Sequence, residues 1–364
     1  MCYFYSSYDN SLTIVLINIE KYYLRILADQ IMKKKIIIAS IGFVILLVGL
    51  TGGYFVGSFA PPHESTDVND SLSWNSDFTR VAIKSPMDGE MQKAYFYGSK
   101  SKTSQPLVVS LHSWSWDYKQ EDTLAILSKA KDFNYIHPDF RGQNWTKNAC
   151  CSEFALSDID AAIDYAIENG RVDTTKIYVI GRSGGGYATL SLFMKSKHRI
   201  KKFAAWVPLS DLVTWYEETL IRKLVYANQI LICTNSSDGK LNQSVAIQKS
   251  PMHWPTPIEK LENTKLDIFT GVYDGLEGNG PIPITQSINF YNKVLSDLKE
   301  TDSSNYISNS EKLKLLEMRR PLEDYGKIGN RDICLKKKSH NISITIFTGG
   351  HEMLYEFAFN DLIK

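Results

Sequence analysis

Short apolar runs alternate with longer amphipathic stretches through most of this chain, a pattern that predicts strands and helices taken in turn. Residues 79–83 and 93–97 flank Pro86-Met87-Asp88-Gly89, so a leading hairpin is expected there. Runs at 106–111, 176–180, 203–206, 266–271 and 342–347 are short and rich in Val, Ile and Phe, and they read as buried strands. Between them, Leu156, Ile159, Ala162, Ile163, Ala166 and Ile167 recur at helical spacing and are closed by Gly170. Tyr187, Leu190, Ser191 and Met194 repeat that spacing further on. The expected fold class is α/β, a doubly wound, mostly parallel sheet with helices on both faces. From 299 to 338 the pattern lapses into polar and charged residues, with Leu313, Leu315 and Leu316 marking one short helix. This stretch is expected to be an insertion near the edge of a site or a surface appendage.

The N-terminal pattern differs. Behind Lys33-Lys34-Lys35, residues 36–56 run for twenty-one positions without a charge, long enough to span a bilayer and longer than the apolar core of a signal peptide. The chain therefore divides into a leader at 1–31 upstream of a natural start at Met32, a transmembrane anchor or signal segment at 32–57, a linker at 58–75 and one globular domain at 76–364. Basic residues ahead of the span favour an inside N-terminus. The expected location is membrane-anchored with the domain outside the cytoplasm, or secreted if the segment is cleaved near Ser58-Phe59-Ala60.

The strand at 176–180 runs directly into Gly181-Arg182-Ser183-Gly184-Gly185, a G-x-S-x-G frame followed by a helix. Such a turn holds its serine at the apex in a strained conformation and needs minimal neighbours, the form of a nucleophile elbow. The helix dipole behind it favours developing negative charge at Ser183. A serine nucleophile needs a histidine base and an orienting carboxylate, here in the chain order Ser, Asp, His. Asp274 lies in the loop after strand 266–271, where ligand and catalytic groups of open α/β sheets gather. Asp211, one strand earlier, is its rival. Of the seven histidines, only His351 both follows Asp274 and sits at the end of a strand, on the loop Gly349-Gly350-His351. An oxyanion hole would draw one backbone amide from Gly184 and another from the loop after strand 106–111, with Trp114 first and Ser113 next to it. His112 in the same turn reads as a structural hydrogen-bonding group.

Composition narrows the possibilities. Forty-one basic and 40 acidic residues leave a formal charge of +1, without the aromatic and basic interleaving that tracks phosphates, so nucleic acid is not an expected partner. A 43% hydrophobic content over 364 residues suffices for one large core. The five cysteines lack metal-ligand spacing, and the chemistry requires neither a metal nor an organic cofactor.

These motifs resemble the α/β-hydrolase fold of the prolyl oligopeptidase type (serine peptidase family S9), in its short form without a β-propeller. The resemblance runs from about residue 78 to the C-terminus and is carried by 106–115, Pro138-Asp139-Phe140-Arg141-Gly142, Ser157-Asp158-Ile159, 181–187, Ser250-Pro251, Asp274 with 281–287, and Gly350-His351. It implies a triad of Ser183, Asp274 and His351, and a peptide or small-molecule ester as substrate. Residues 275–280 form a longer link after the acid than the family pattern has, and His112-Ser113 stands where many family members have His-Gly. In the resembling proteins the neighbourhoods of Cys150, Cys151 and Cys233 lie at the rim of the site, which implies a disulfide from Cys233 to Cys150 or Cys151 if the domain is exported. Two further functions stay open: a carbohydrate acyl esterase whose cleft is lined by Trp114, Trp116, Trp145, Trp206 and Trp215, and a non-catalytic, membrane-tethered binding protein.

Overall fold

The computed structural model describes residues 74–364; the expected leader, the anchor or signal segment and the linker up to residue 73 lie outside the described residues. In chain order the main elements are β1 (Thr79–Lys84), β2 (Met91–Tyr97), β3 (Gln105–Leu111), α1 (Thr123–Ala130), β4 (Asn134–Pro138), α2 (Glu153–Asn169), β5 (Val172–Arg182), α3 (Gly184–Lys195) and β6 (Lys202–Trp206). They continue with α4 (Leu212–Ile221), α5 (Tyr226–Cys233), α6 (Gln243–Gln248), β7 (Lys265–Gly271), α7 (Ile284–Asp297), α8 (Asn309–Met318), β8 (Lys327–Ile328), β9 (Arg331–Ser339), β10 (Ile342–Phe347) and α9 (Tyr355–Leu362). The strands form a ten-stranded sheet in the order β1-β2-β4-β3-β5-β6-β7-β10-β9-β8. Its middle, from β4 to β10, is parallel, and the hairpins at both edges are antiparallel.

Side chains on the central strands alternate between two cores, as the strand period requires. Leu107, Val109, Ile177 and Val179 pack with α2, α3 and α7 on one face, while Val108, Tyr178 and Ile180 pack with α1 and α9 on the other. Because both faces are covered, β10 is buried at every position, which is why it reads as a continuous apolar run with only two hydroxyls. Helix α2 begins where the Ser152 hydroxyl accepts the Ala155 amide and ends at Gly170, so the periodic residues of the sequence match its buried face.

The stretch from 299 to 338 is not an insertion throughout. Its first half holds α8, with a capping box between Ser308 and Glu311 and only Leu315 buried. Its second half supplies most of β9, which pairs with β10 along the main sheet. The basic run Lys336-Lys337-Lys338 hides a strand because β9 lies near the sheet's edge, where Ile333, Cys334 and Leu335 are buried and the lysines stay at least partly exposed.

Strand order fixes where a site can form. The chain leaves β3 for β4 on one side and returns across β3 to β5 on the other, so the direction of winding reverses between β3 and β5. Loops leaving the carboxyl ends of these two strands diverge and open a crevice. The loop after β3 begins at His112, and the turn after β5 holds Ser183.

Candidate active site

Ser183 stands between β5 and α3 with φ 60° and ψ −119°, a left-handed backbone conformation that costs a non-glycine residue of order 1–3 kcal/mol. The turn is held from both sides: the Ser183 amide donates to the Trp206 carbonyl of β6 at 2.9 Å, and the Ser183 carbonyl accepts the Tyr187 amide at 2.9 Å as the first bond of α3. Gly184 is required by close approach, since a Cβ there would land on the Trp114 backbone amide.

That contact brings together the two amides expected to form the oxyanion hole. The Ser113 amide is committed to Gln120 Oε1 at 2.7 Å. The Trp114 amide donates to nothing among the described residues. Of these two loop amides, the one at Trp114 is thus the one left open to donate. Its peptide is fixed by the Asn144 amide, which donates to the Trp114 carbonyl at 2.8 Å, and the Ser113 hydroxyl ties the loop to the Arg182 carbonyl at 3.3 Å. His112 is fully buried, stacks on Phe140 at 3.7 Å, and has its Nδ1 3.1 Å from the Ser113 carbonyl. Burial pushes its pKa down to about 3, so it stays neutral and serves the loop.

Asp274 and His351 form a pair. His351 Nδ1 lies 2.7 Å from Asp274 Oδ2 across 77 residues of sequence. Parallel pairing of β7 with β10 aligns the two loops, and the Val272 and Tyr273 amides donate to the carbonyls of Phe347 and Gly349 at 2.8 and 2.9 Å. Asp274 Oδ1 accepts the Ile282 amide at 3.2 Å. Burial nonetheless raises the Asp274 pKa, the His351 hydrogen bond opposing that rise. The rival Asp211 is occupied elsewhere: it caps α4 through the Val213 amide and lies 3.2 Å from His253 Nε2.

The long link after Asp274 closes over the pair. Gly280 has φ 136°, and a Cβ on it would meet Asp274 Oδ1 and approach His351 Cβ to 2.5 Å, while the Asn279 carbonyl accepts the His351 amide at 3.0 Å. Gly280→Ala is therefore expected to push the pair apart. Activity should fall about 10- to 100-fold by misplacement alone, in a protein that still unfolds cooperatively on heating. Wild-type kinetics in that variant would refute this role for the link.

A cavity of about 490 Å³ opens beside Gly280, lined by Arg222, Leu224, Tyr226, Leu276, Glu277 and Pro281. The Arg222 guanidinium shapes it by donating to the carbonyls of Gly275 at 3.0 Å, Gly280 at 3.3 Å, and Pro281. Contacts run from here back to the elbow. Trp215 Nε1 donates to the Pro281 carbonyl at 3.1 Å, the Trp215 ring meets Trp114 edge-on at 4.9 Å, and Trp114 Nε1 donates to Gln229 Oε1 of α5 at 2.8 Å. The elbow and the His351–Asp274 pair thus share the carboxyl edge of the sheet. Ser183 Oγ makes no hydrogen bond with His351 among the described residues.

The tryptophans do not form an aromatic cleft. Trp114, Trp206 and Trp215 are buried, Trp206 stacking on Phe269 at 4.3 Å, and Trp116 alone of the five is largely exposed; scattered indoles serve here as core. Sequence reasoning missed Gln120, Gln229 and Tyr226. No local motif marks them, because each matters only through a partner brought near by the fold. Among the described residues no cluster of His, Cys, Asp and Glu could hold a metal ion, and none is long and apolar enough as a helix to cross a membrane.

Residues 120–263 match the family described as the prolyl oligopeptidase family, a span that holds Ser183 and stops short of Asp274 and His351. Oligopeptidase B from Leishmania major is similar in structure, with a TM-score of 0.51 at 14% identity, over 79% of this chain and 36% of that one. A puromycin-hydrolyzing peptidase from Mycobacterium tuberculosis matches with a TM-score of 0.48 at 16% identity, over 64% and 35%. The acylaminoacyl peptidase from Pyrococcus horikoshii matches with a TM-score of 0.46 at 18% identity, over 60% and 35%. This chain spans about a third of the length of each of these proteins.

Proposed function

We propose, on the premise that this chain carries a catalytic domain of the prolyl oligopeptidase family, that it is a serine hydrolase cleaving peptide or ester bonds through an acyl-enzyme on Ser183. The observation that carries the reading is the His351–Asp274 pair at 2.7 Å, on the same sheet edge as a serine in elbow conformation. A buried carboxylate against an imidazole has one evident use beside such a serine. With Nδ1–H donated to Asp274, Nε2 of His351 is left as the acceptor that can take the Ser183 proton.

The steps follow from those roles. Ser183 Oγ attacks the acyl carbon as His351 takes its proton, and the backbone amides of Gly184 and Trp114 stabilise the oxyanion. His351 then protonates the leaving amine or alcohol, and water repeats the sequence to release the acid. No apo hydrogen bond between Ser183 and His351 is needed, since such contacts commonly tighten only around substrate. The cavity of about 490 Å³ falls in the range of sites that hold small ligands, and its apolar Leu224, Leu276 and Pro281 beside Tyr226 suit a compact apolar group next to the scissile bond.

Trapping is the test. A slowly deacylating nitrophenyl ester, quenched in acid and mapped by mass spectrometry, is expected to leave its acyl group on the peptide containing Ser183. An adduct on another residue, or turnover with no adduct at any quench time, would sink the reading.

A further inference from the structure

Three cysteines meet in a buried cluster at the C-terminal end of α5. Cys150 and Cys233 are fully buried, and their Sγ atoms lie 2.7 Å apart across 83 residues of sequence. That is closer than two unbonded sulfurs pack and a short movement from a bond of about 2.04 Å. Cys151 is buried beside them, while Cys334 lies in β9 with its Sγ 3.6 Å from Thr348 Oγ1. Cys150 and Cys151 both have left-handed backbone angles, φ 55° and 47°. Such a strained pair persists only where its surroundings hold it, and here the Tyr187 hydroxyl donates to the Cys150 carbonyl at 3.1 Å. Lys249 Nζ donates to the Cys233 carbonyl at 2.8 Å and to the Lys147 carbonyl at 2.8 Å, so a cation joins the two segments that the sulfurs also join.

The neighbouring thiols differ in reactivity. Burial opposes ionisation of Cys150, but the Cys233 thiol and the Lys249 ammonium outweigh it and bring its pKa below the ordinary value. Burial holds Cys151 protonated. Thiolate is the species that attacks a disulfide.

We propose that under oxidising conditions Cys150 and Cys233 form a disulfide that clamps the C-terminal end of α5 to the 142–151 loop and so fixes the wall of the cavity. The first turn of α5 carries Tyr226, which lines the cavity, and its middle carries Gln229, which holds the Trp114 indole. The Cys150 thiolate attacks a small disulfide such as oxidised glutathione, releasing one thiol and forming a mixed disulfide. Cys233 then displaces the second thiol, so two protein thiols lose two hydrogens and the oxidant gains them.

The test takes the full-length chain, reduces it, equilibrates it with oxidised glutathione, quenches it in acid and alkylates it in denaturant before peptide mapping. Cys150 and Cys233 are expected to be joined in one peptide pair, lighter by two hydrogens, and to react with the alkylating agent only after reductant is added. Reduction is also expected to lower Tm by about 5–10 °C and to speed amide exchange at 226–233. The crosslink should persist in Cys151→Ser and vanish in Cys150→Ser. Alkylation of Cys150 and Cys233 without reductant would overturn the proposal, and so would a crosslink that survives in Cys150→Ser. None of these readouts depends on catalysis.

Discussion

Replacing Ser183 by alanine is expected to lower turnover by about 10⁴-fold or more, about 5.5 kcal/mol of transition-state stabilisation, while the protein stays folded. The hydroxyl makes no hydrogen bond among the described residues, so removing it breaks no structural contact. What holds the elbow is backbone: the Ser183 amide on Trp206, the Ser183 carbonyl on Tyr187, and the close fit of Gly184 against Trp114. Alanine inherits these contacts together with the same strained φ. Steady-state turnover of an activated ester, measured beside thermal unfolding, checks both halves. A variant that keeps about a tenth of the activity would mean that another nucleophile does the work.

The second large effect separates stability from activity. Asp274→Asn is expected to lower turnover by about 10⁴-fold, because a neutral amide can present its N–H to His351 and hold the ring in the wrong tautomer. Stability should move the other way at neutral pH. Burial raises the Asp274 pKa above its unfolded value, so its favourable contribution is complete below the unfolded pKa and is lost as pH rises through the folded one. At neutral pH the wild-type protein carries the cost of that ionised, buried carboxylate, which asparagine does not. The variant is expected to melt at or above the wild-type temperature near pH 7, with the advantage disappearing under acid. A variant much less stable than wild type at pH 7 would show that the carboxylate's hydrogen bonds to His351 and Ile282 outweigh its burial.

The parts of this site that the sequence carried are local ones. The elbow is written in five consecutive residues because its geometry depends on small neighbours. His351 and Asp274 could be picked out because each follows a buried apolar strand, and parallel strands β7 and β10 turned out to be neighbours. The parts that stayed hidden are those set by contact across the fold. The link 275–280 departs from the family pattern by its length, yet Gly280 packs against both Asp274 and His351. That Gln120 occupies the Ser113 amide and leaves the Trp114 amide open is a contact no spacing rule conveys. Strand β9 is hard to read because its exposed positions are charged and its buried apolar ones are only three in a row, too short a signal against so charged a stretch. Five scattered tryptophans suggested a cleft, and burial of three of them shows a core.

An activated Ser183 should react covalently with an electrophile that ordinary serines ignore. The full-length protein is exposed to a fluorophosphonate probe beside the Ser183→Ala variant, and the labelled peptide is identified by mass spectrometry. Wild type is expected to label stoichiometrically at Ser183 and the variant not at all. A folded wild-type protein that takes up no probe, or a variant that labels as well as wild type, would contradict an activated Ser183.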